Sequence, residues 1–303
     1  MILYCVPSTG IHGGIKVAYQ FVDLLGRAGA CAAVATPDGR ASGWFRSLAP
    51  VVRRDAALAR LADDDIVMFS LPHDYDELRA SGRRLVFHCQ GTDPLIDPIL
   101  RDPDVLVLTC WEEAATYVRA VAGREPVEVG IAVADAFHYR GEEKDALATL
   151  AMPRRGREIA RGLAASEPRL ALVEVDGLDE CEVAALMRRA GVYLATAEDE
   201  WFGLPALEAM AAGCLVFSVP VRGGMEYLVD GVTCHVGSIG HLEQQIARLL
   251  DPAWADHWRA MRHAAMARAL GYRLDAQLPR VRALVERLGP PARRPLRTPA
   301  ATR

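Results

Sequence analysis

No stretch of this 303-residue chain approaches the ~20 consecutive apolar residues that a membrane-spanning helix needs. Met1–Val6 is too short for the apolar region of a signal peptide and lacks its basic start. The sequence therefore predicts no targeting or transmembrane segment and a cytoplasmic location, and leaves open only a peripheral contact with a membrane surface. There is no excess of positive charge either: 35 Lys and Arg against 39 Asp and Glu give a net −4. A chain without a basic face lacks the attraction on which nucleic-acid binding rests. No cysteines are spaced C-x-x-C. The seven present, Cys5, Cys31, Cys89, Cys110, Cys181, Cys214 and Cys234, are scattered and odd in number, as free thiols are in a reducing compartment. With no clustered His or Cys and no Asp-x-Asp pair on a suitable loop, the sequence predicts no metal site and no cofactor. Asp63-Asp64-Asp65 precedes a strand and so lies at its wrong end.

What is there is apolar and regularly punctuated. Half of the residues, 51%, are hydrophobic, enough for two cores of ordinary size. Ile2–Val6 reads as a buried strand, Ser8–Gly14 as a Gly-rich loop and Ile15–Gly26 as a helix. Short apolar strands follow at Cys31–Thr36, Ile66–Ser70, Leu85–His88 and Val105–Thr109, with a helix at Glu112–Ala122. This alternation predicts an α/β fold with parallel sheets covered on both faces. A second series runs through Ala146–Met152, a helix to Ala165, Leu170–Val175, a helix at Asp179–Ala190, and strands Gly191–Thr196 and Cys214–Val219. We expect a first Rossmann-like domain over 1–139, a second over 140–252, helices over 253–289 broken near Gly271, and a disordered tail over 290–303.

The segment Glu200-Trp-Phe-Gly-Leu-Pro-Ala-Leu-Glu208 carries the most chemistry. Glu200 lies in the loop leaving a strand's carboxyl end. Pro205 suits the first position of a helix, where its missing N–H costs nothing, so Glu208 falls within about one turn of the helix start, where the dipole favours a carboxylate. The N–H groups of Phe202, Gly203 and Leu204 have no helical partner, and Gly203 allows a close approach. Two carboxylates repel a bare phosphate but accept hydrogen bonds from vicinal hydroxyls, and free amides serve a sugar's other oxygens. The set suits a nucleotide sugar better than a nucleotide alone.

At these residues the chain resembles the family-4 glycosyltransferases of the GT-B fold, whose pattern reads E-G-F-G-L-P-x-x-E, with Trp201 here in place of the first Gly. The likeness continues through Ala209–Phe217 and Gly223–Gly231, specifically over about 176–236. It implies two Rossmann-like domains facing a central cleft, with the final helix crossing back to the first. It also implies transfer from a nucleoside-diphosphate sugar to a hydroxyl acceptor with retention of configuration and no essential metal. Glu200 would face the donor sugar and Glu208 the ribose hydroxyls. Compared with the family, the second domain is short by about one βα unit before Asp176.

Three further places are candidates. Gly13-Gly14 at a helix start, with Lys16, can admit a phosphate, and the family places a Gly-rich loop here. Arg154 or Arg155 can grip a departing diphosphate with a planar guanidinium. His88 and Gln90 end one strand on the same face, and the family often has a His near this point; which of the two faces the sugar stays open. Two other readings also stay open: a nucleotide-sugar epimerase and a non-catalytic sugar-nucleotide-binding subunit. The base, sugar, acceptor and oligomeric state are not encoded legibly.

Overall fold

The computed structural model describes residues 1–289; the tail over 290–303 lies outside the described residues. The first half runs β1 (Ile2–Cys5), α1 (Gly13–Arg27), β2 (Ala32–Thr36), β3 (Val51–Arg53), α2 (Arg54–Leu58) and β4 (Ile66–Phe69). It continues with α3 (Tyr75–Ala80), β5 (Arg84–Cys89), α4 (Asp97–Arg101), β6 (Val105–Thr109), α5 (Glu112–Ala122) and β7 (Val127–Glu128). These strands make one parallel seven-stranded sheet, ordered β3-β2-β1-β4-β5-β6-β7. Runs such as Ile66-Val-Met-Phe69 are buried throughout, because helices cover both faces of a parallel sheet.

The second half runs β8 (Asp145–Ala151), α6 (Arg157–Ala165), β9 (Ala171–Glu174), α7 (Glu180–Arg189), β10 (Ala190–Ala195) and α8 (Leu204–Ala211). After these come β11 (Leu215–Ser218), β12 (His235–Val236), α9 (Ile239–Ile246), α10 (Ala255–Leu270) and α11 (Leu274–Leu288). Its sheet is parallel and five-stranded, ordered β12-β11-β10-β8-β9. The chain turns from β8 to β9 on one side and to β10 on the other, so the switch point opens a crevice beyond the carboxyl ends of β8 and β10. That places Met152–Arg155 and Thr196–Glu200 at its mouth.

The two-sheet GT-B architecture expected from the sequence is present. Helix α10 packs on α8 of the second half, while Leu278, Val281, Leu284 and Leu288 of α11 join the core formed by α1 and the first sheet. Thus the last helix crosses back. The elements that sequence periodicity passes over are the shortest: β3 has three residues and β12 two. Helix α8 starts at Leu204 rather than Pro205, because Gly203 is its N-cap in the left-handed region, φ 77°, a conformation glycine adopts without a Cβ penalty. The hydroxyl of Tyr227 donates to the Phe202 and Gly203 carbonyls at 2.9 and 2.6 Å, holding that turn.

Candidate functional site

The carboxyl ends of the two sheets face each other across a cavity of about 750 Å³. Glu200, Phe202, Gly203, Leu204, Glu208, Arg154 and Arg155 line it from the second half, and Gly13, Gly14, Lys16 and Gln90 from the first. Every residue singled out from the sequence is there except His88.

His88 is fully buried inside β5, its Nδ1 3.0 Å from the Tyr4 hydroxyl and its Nε2 3.1 Å from the Cys110 thiol. Phe21 of α1 packs against its ring at 4.7 Å. Burial lowers its pKa to about 3, so it stays neutral. Gln90, two residues on, does reach the cavity. Its Nε2 donates to the same Tyr4 hydroxyl at 3.2 Å. A Cβ on Gly14 would stand 2.6 Å from its Oε1, so glycine makes room for this side chain. Alternation correctly put His88 and Gln90 on one face; depth separates them.

Lys16 lies one turn into α1 and is 3% exposed. Its ammonium is 2.6 Å from Glu208 Oε1 and 2.6 Å from Glu180 Oε1. The Glu208 contact is a hydrogen bond; Glu180 Oε1 takes no aligned hydrogen bond, so its contact is one of charge. Burial alone would lower the Lys16 pKa, but Glu208 and Glu180 outweigh it and hold it above its ordinary value. Burial pushes Glu208 upward, with Lys16 opposing and Glu180 reinforcing. One ammonium between two carboxylates leaves the cluster with a net negative charge, in keeping with the raised values of Lys16 and Glu208.

Glu200 is paired with Arg155. Arg155 and Asp199 both have positive φ, 60° and 55°, which costs non-glycine residues of order 1–3 kcal/mol and clusters at functional loops. Arg154 spans the cleft, with both terminal nitrogens donating to the Ile11 carbonyl at 3.1 Å. Trp201 lines the cavity with its ring against Gly91 of the opposite wall, where a Cβ would be 3.1 Å away. The Arg222 guanidinium covers that ring at 4.4 Å.

Sequence reasoning missed Glu180 and the wall contacts. The capping box of Asp179 and Glu182 marks the start of α7 and puts Glu180 in its first turn, but no local signal shows that this turn faces the cleft. It also missed a cluster outside the cavity: Asp230, His235 and His241 come together although no spacing motif announces them.

Residues 175–266 match the family model described as "Glycosyl transferases group 1". No curated protein sequence matches the chain. Solved structures similar to it include a glycosyltransferase from Rickettsia africae ESF-5, 12% identical, covering 95% of this chain and 98% of that one at TM-score 0.69. Sucrose-phosphate synthase from Thermosynechococcus elongatus is 16% identical over 95% and 98%, at TM-score 0.73. Anabaena Alr3699/HepE in complex with UDP and glucose is 13% identical over 94% and 99%, at TM-score 0.72. Identities this low establish a shared fold. The fold class is therefore GT-B, and the segment similar to the group 1 glycosyl transferase model contains the two-glutamate motif.

Proposed function

We propose that this chain transfers a glycosyl group from a nucleoside-diphosphate sugar to an acceptor hydroxyl, with retention of configuration and no metal requirement. The observation that carries the reading is the convergence of Glu200, Glu208 and the turn at Gly203 on one interdomain cavity. The similar structures, which include Anabaena Alr3699/HepE in complex with UDP-glucose, support a nucleotide-sugar donor.

Glu208 would accept hydrogen bonds from the ribose hydroxyls, and the free amides around Gly203 would donate to the sugar oxygens. Glu200 would orient the sugar at the reacting carbon. As the glycosidic bond breaks, charge develops on the diphosphate, and Arg154 or Arg155 together with the α1 amides at Gly13 and Gly14 would stabilise it. The acceptor hydroxyl would attack the face the diphosphate leaves, so no enzymic nucleophile is needed. Gln90, which lines the cavity where the buried His88 does not, would meet the sugar from the first half.

A non-catalytic sugar-nucleotide-binding subunit keeps one observation in its favour: the Trp201 ring lies against Gly91 across the cleft. Tight donor binding without turnover on any acceptor would select it.

Paired substitutions test the main reading. Glu208→Gln should weaken free nucleoside-diphosphate affinity, because ribose contacts are the same in ground and transition states. Glu200→Gln should lower turnover with that affinity nearly intact. Calorimetry beside turnover decides; unchanged values in both variants would refute the site.

A further inference from the structure

Away from the cleft, three side chains from three segments bring metal-type ligand atoms together: Asp230 from the loop before β12, His235 from β12, and His241 from the first turn of α9. Asp230 Oδ1 is 3.1 Å from His235 Nδ1 and 3.2 Å from His241 Nε2, and all three atoms lie within 4.8 Å of one another. Ligands on a tetrahedral ion with bonds of 2.0–2.1 Å sit roughly 3.3–3.4 Å apart, so both contacts are already near coordination spacing. The same Oδ1 also accepts the Val236 N–H at 3.0 Å. One oxygen, with about two acceptor sites, faces three nitrogen partners. A cation between the oxygen and two deprotonated imidazole nitrogens relieves that crowding.

The ligands are held in place. His235 is 4% exposed, its ring stacked on Phe217 at 5.9 Å and edge-on to Trp258 at 5.5 Å. Gly237 lets the His241 ring close in, since a Cβ there would stand 2.9 Å from Cδ2. Ser238 caps α9 by accepting the His241 N–H at 3.3 Å. None of the three ligands lines the large cavity, and the transfer chemistry has no use for them.

We propose that Asp230, His235 and His241 bind one divalent transition-metal ion of the zinc class, with solvent completing its coordination. Two imidazoles and a carboxylate select such an ion over magnesium or calcium, which prefer all-oxygen sites. The ion ties the two-residue edge strand β12 to the loop before it and to the start of α9, and so stabilises one edge of the second sheet.

The test uses the full chain without an affinity tag, stripped by chelator and exchanged into metal-free buffer. Calorimetric titration with zinc chloride should show one equivalent bound, and cobalt(II) should give the intense visible bands of a four-coordinate site. His241→Ala, a partly exposed position, should weaken zinc binding at least tenfold and abolish those bands; Asp230→Asn should do so to a lesser degree. Zinc should raise the melting temperature of the parent but not of His241→Ala, and millimolar magnesium should not compete. His73→Ala, at an exposed histidine elsewhere, should change nothing. Absence of one-to-one binding, or equal affinity in the parent, His241→Ala and Asp230→Asn, would overturn the site.

Discussion

Replacing Lys16 with Met keeps the length of the side chain and removes its charge, leaving Glu180 and Glu208 facing each other in a site where each is under a tenth exposed. Breaking a buried ion pair by removing one partner costs about 3–5 kcal/mol. At roughly 2–4 °C per kcal/mol for domains of 150–250 residues, the melting temperature should fall by some ~6–20 °C, the lower end if the cleft opens and admits water. Adding Glu208→Gln to Lys16→Met should recover much of the loss, because the stranded charge is then gone. The pH dependence has a definite sign. Lys16 has a raised pKa when folded, so its contribution is fully present below the ordinary lysine value and lost as pH rises through the raised one; Lys16→Met should lack that alkaline limb. Glu208 is also raised, and without the opposing ammonium it rises further, so acidification toward the ordinary carboxylate range should partly restore Lys16→Met. Calorimetric melts across pH measure all of this. A melting temperature within ~2 °C of the parent, with no recovery on adding Glu208→Gln, would show that the cluster does not form in solution.

Two further substitutions separate site from scaffold. Arg155→Ala frees Glu200 from its partner and should lower turnover most, whereas Arg154→Ala removes the bonds to the Ile11 carbonyl and should appear mainly in donor affinity, each by a charged hydrogen bond of roughly 1.5–3 kcal/mol; normal kinetics in both would take the arginines out of the site. His88→Phe should cost about 1–3 kcal/mol of stability through its lost polar contacts and change kcat less than tenfold, while a hundredfold loss in a well-folded variant would put His88 back at the substrate. Because His88 is lowered to about 3, its contribution is present above pH ~6.5 and is lost as pH falls toward 3, and His88→Phe should lack that component of acid sensitivity.

The parts of this molecule legible in its sequence are those written in neighbouring residues. Runs such as Val105–Thr109 announce buried parallel strands because both faces are covered, and the two-glutamate segment announces itself through the Gly and Pro between its carboxylates. Strand β12 was illegible because two residues have no period. The start of α8 was displaced by one residue because the Tyr227 hydroxyl, from a later loop, holds the Phe202 and Gly203 carbonyls. The depth of His88 is set by Phe21 on a different helix, which strand alternation cannot report. The Lys16–Glu208 pair, 192 positions apart in sequence, leaves no local signature at either end, and neither does the convergence of Asp230, His235 and His241 from three segments.

Lys16 bears on how the two halves cooperate. If its ammonium occupied the place of the ribose, it would act as a plug, and Lys16→Met would tighten nucleoside-diphosphate binding. The geometry argues for the opposite. Of the two Glu208 oxygens the ammonium bonds only Oε1, and a carboxylate has about four acceptor sites over two oxygens, so Oε2 remains for a hydroxyl while the lysine fixes the group and opposes the upward push of burial on its pKa. Under the proposed function, a helix of the first half would then complete a nucleotide site built on the second, and a donor that prefers the completed site would draw the halves together. On this account Lys16→Met and Glu208→Gln should each weaken nucleoside-diphosphate affinity, and the double variant should be no weaker than the worse single one, because both remove one shared element. Calorimetry on the four proteins gives the coupling directly. Additive losses would mean that the two residues act on the ligand separately, and tighter binding in Lys16→Met would establish the plug.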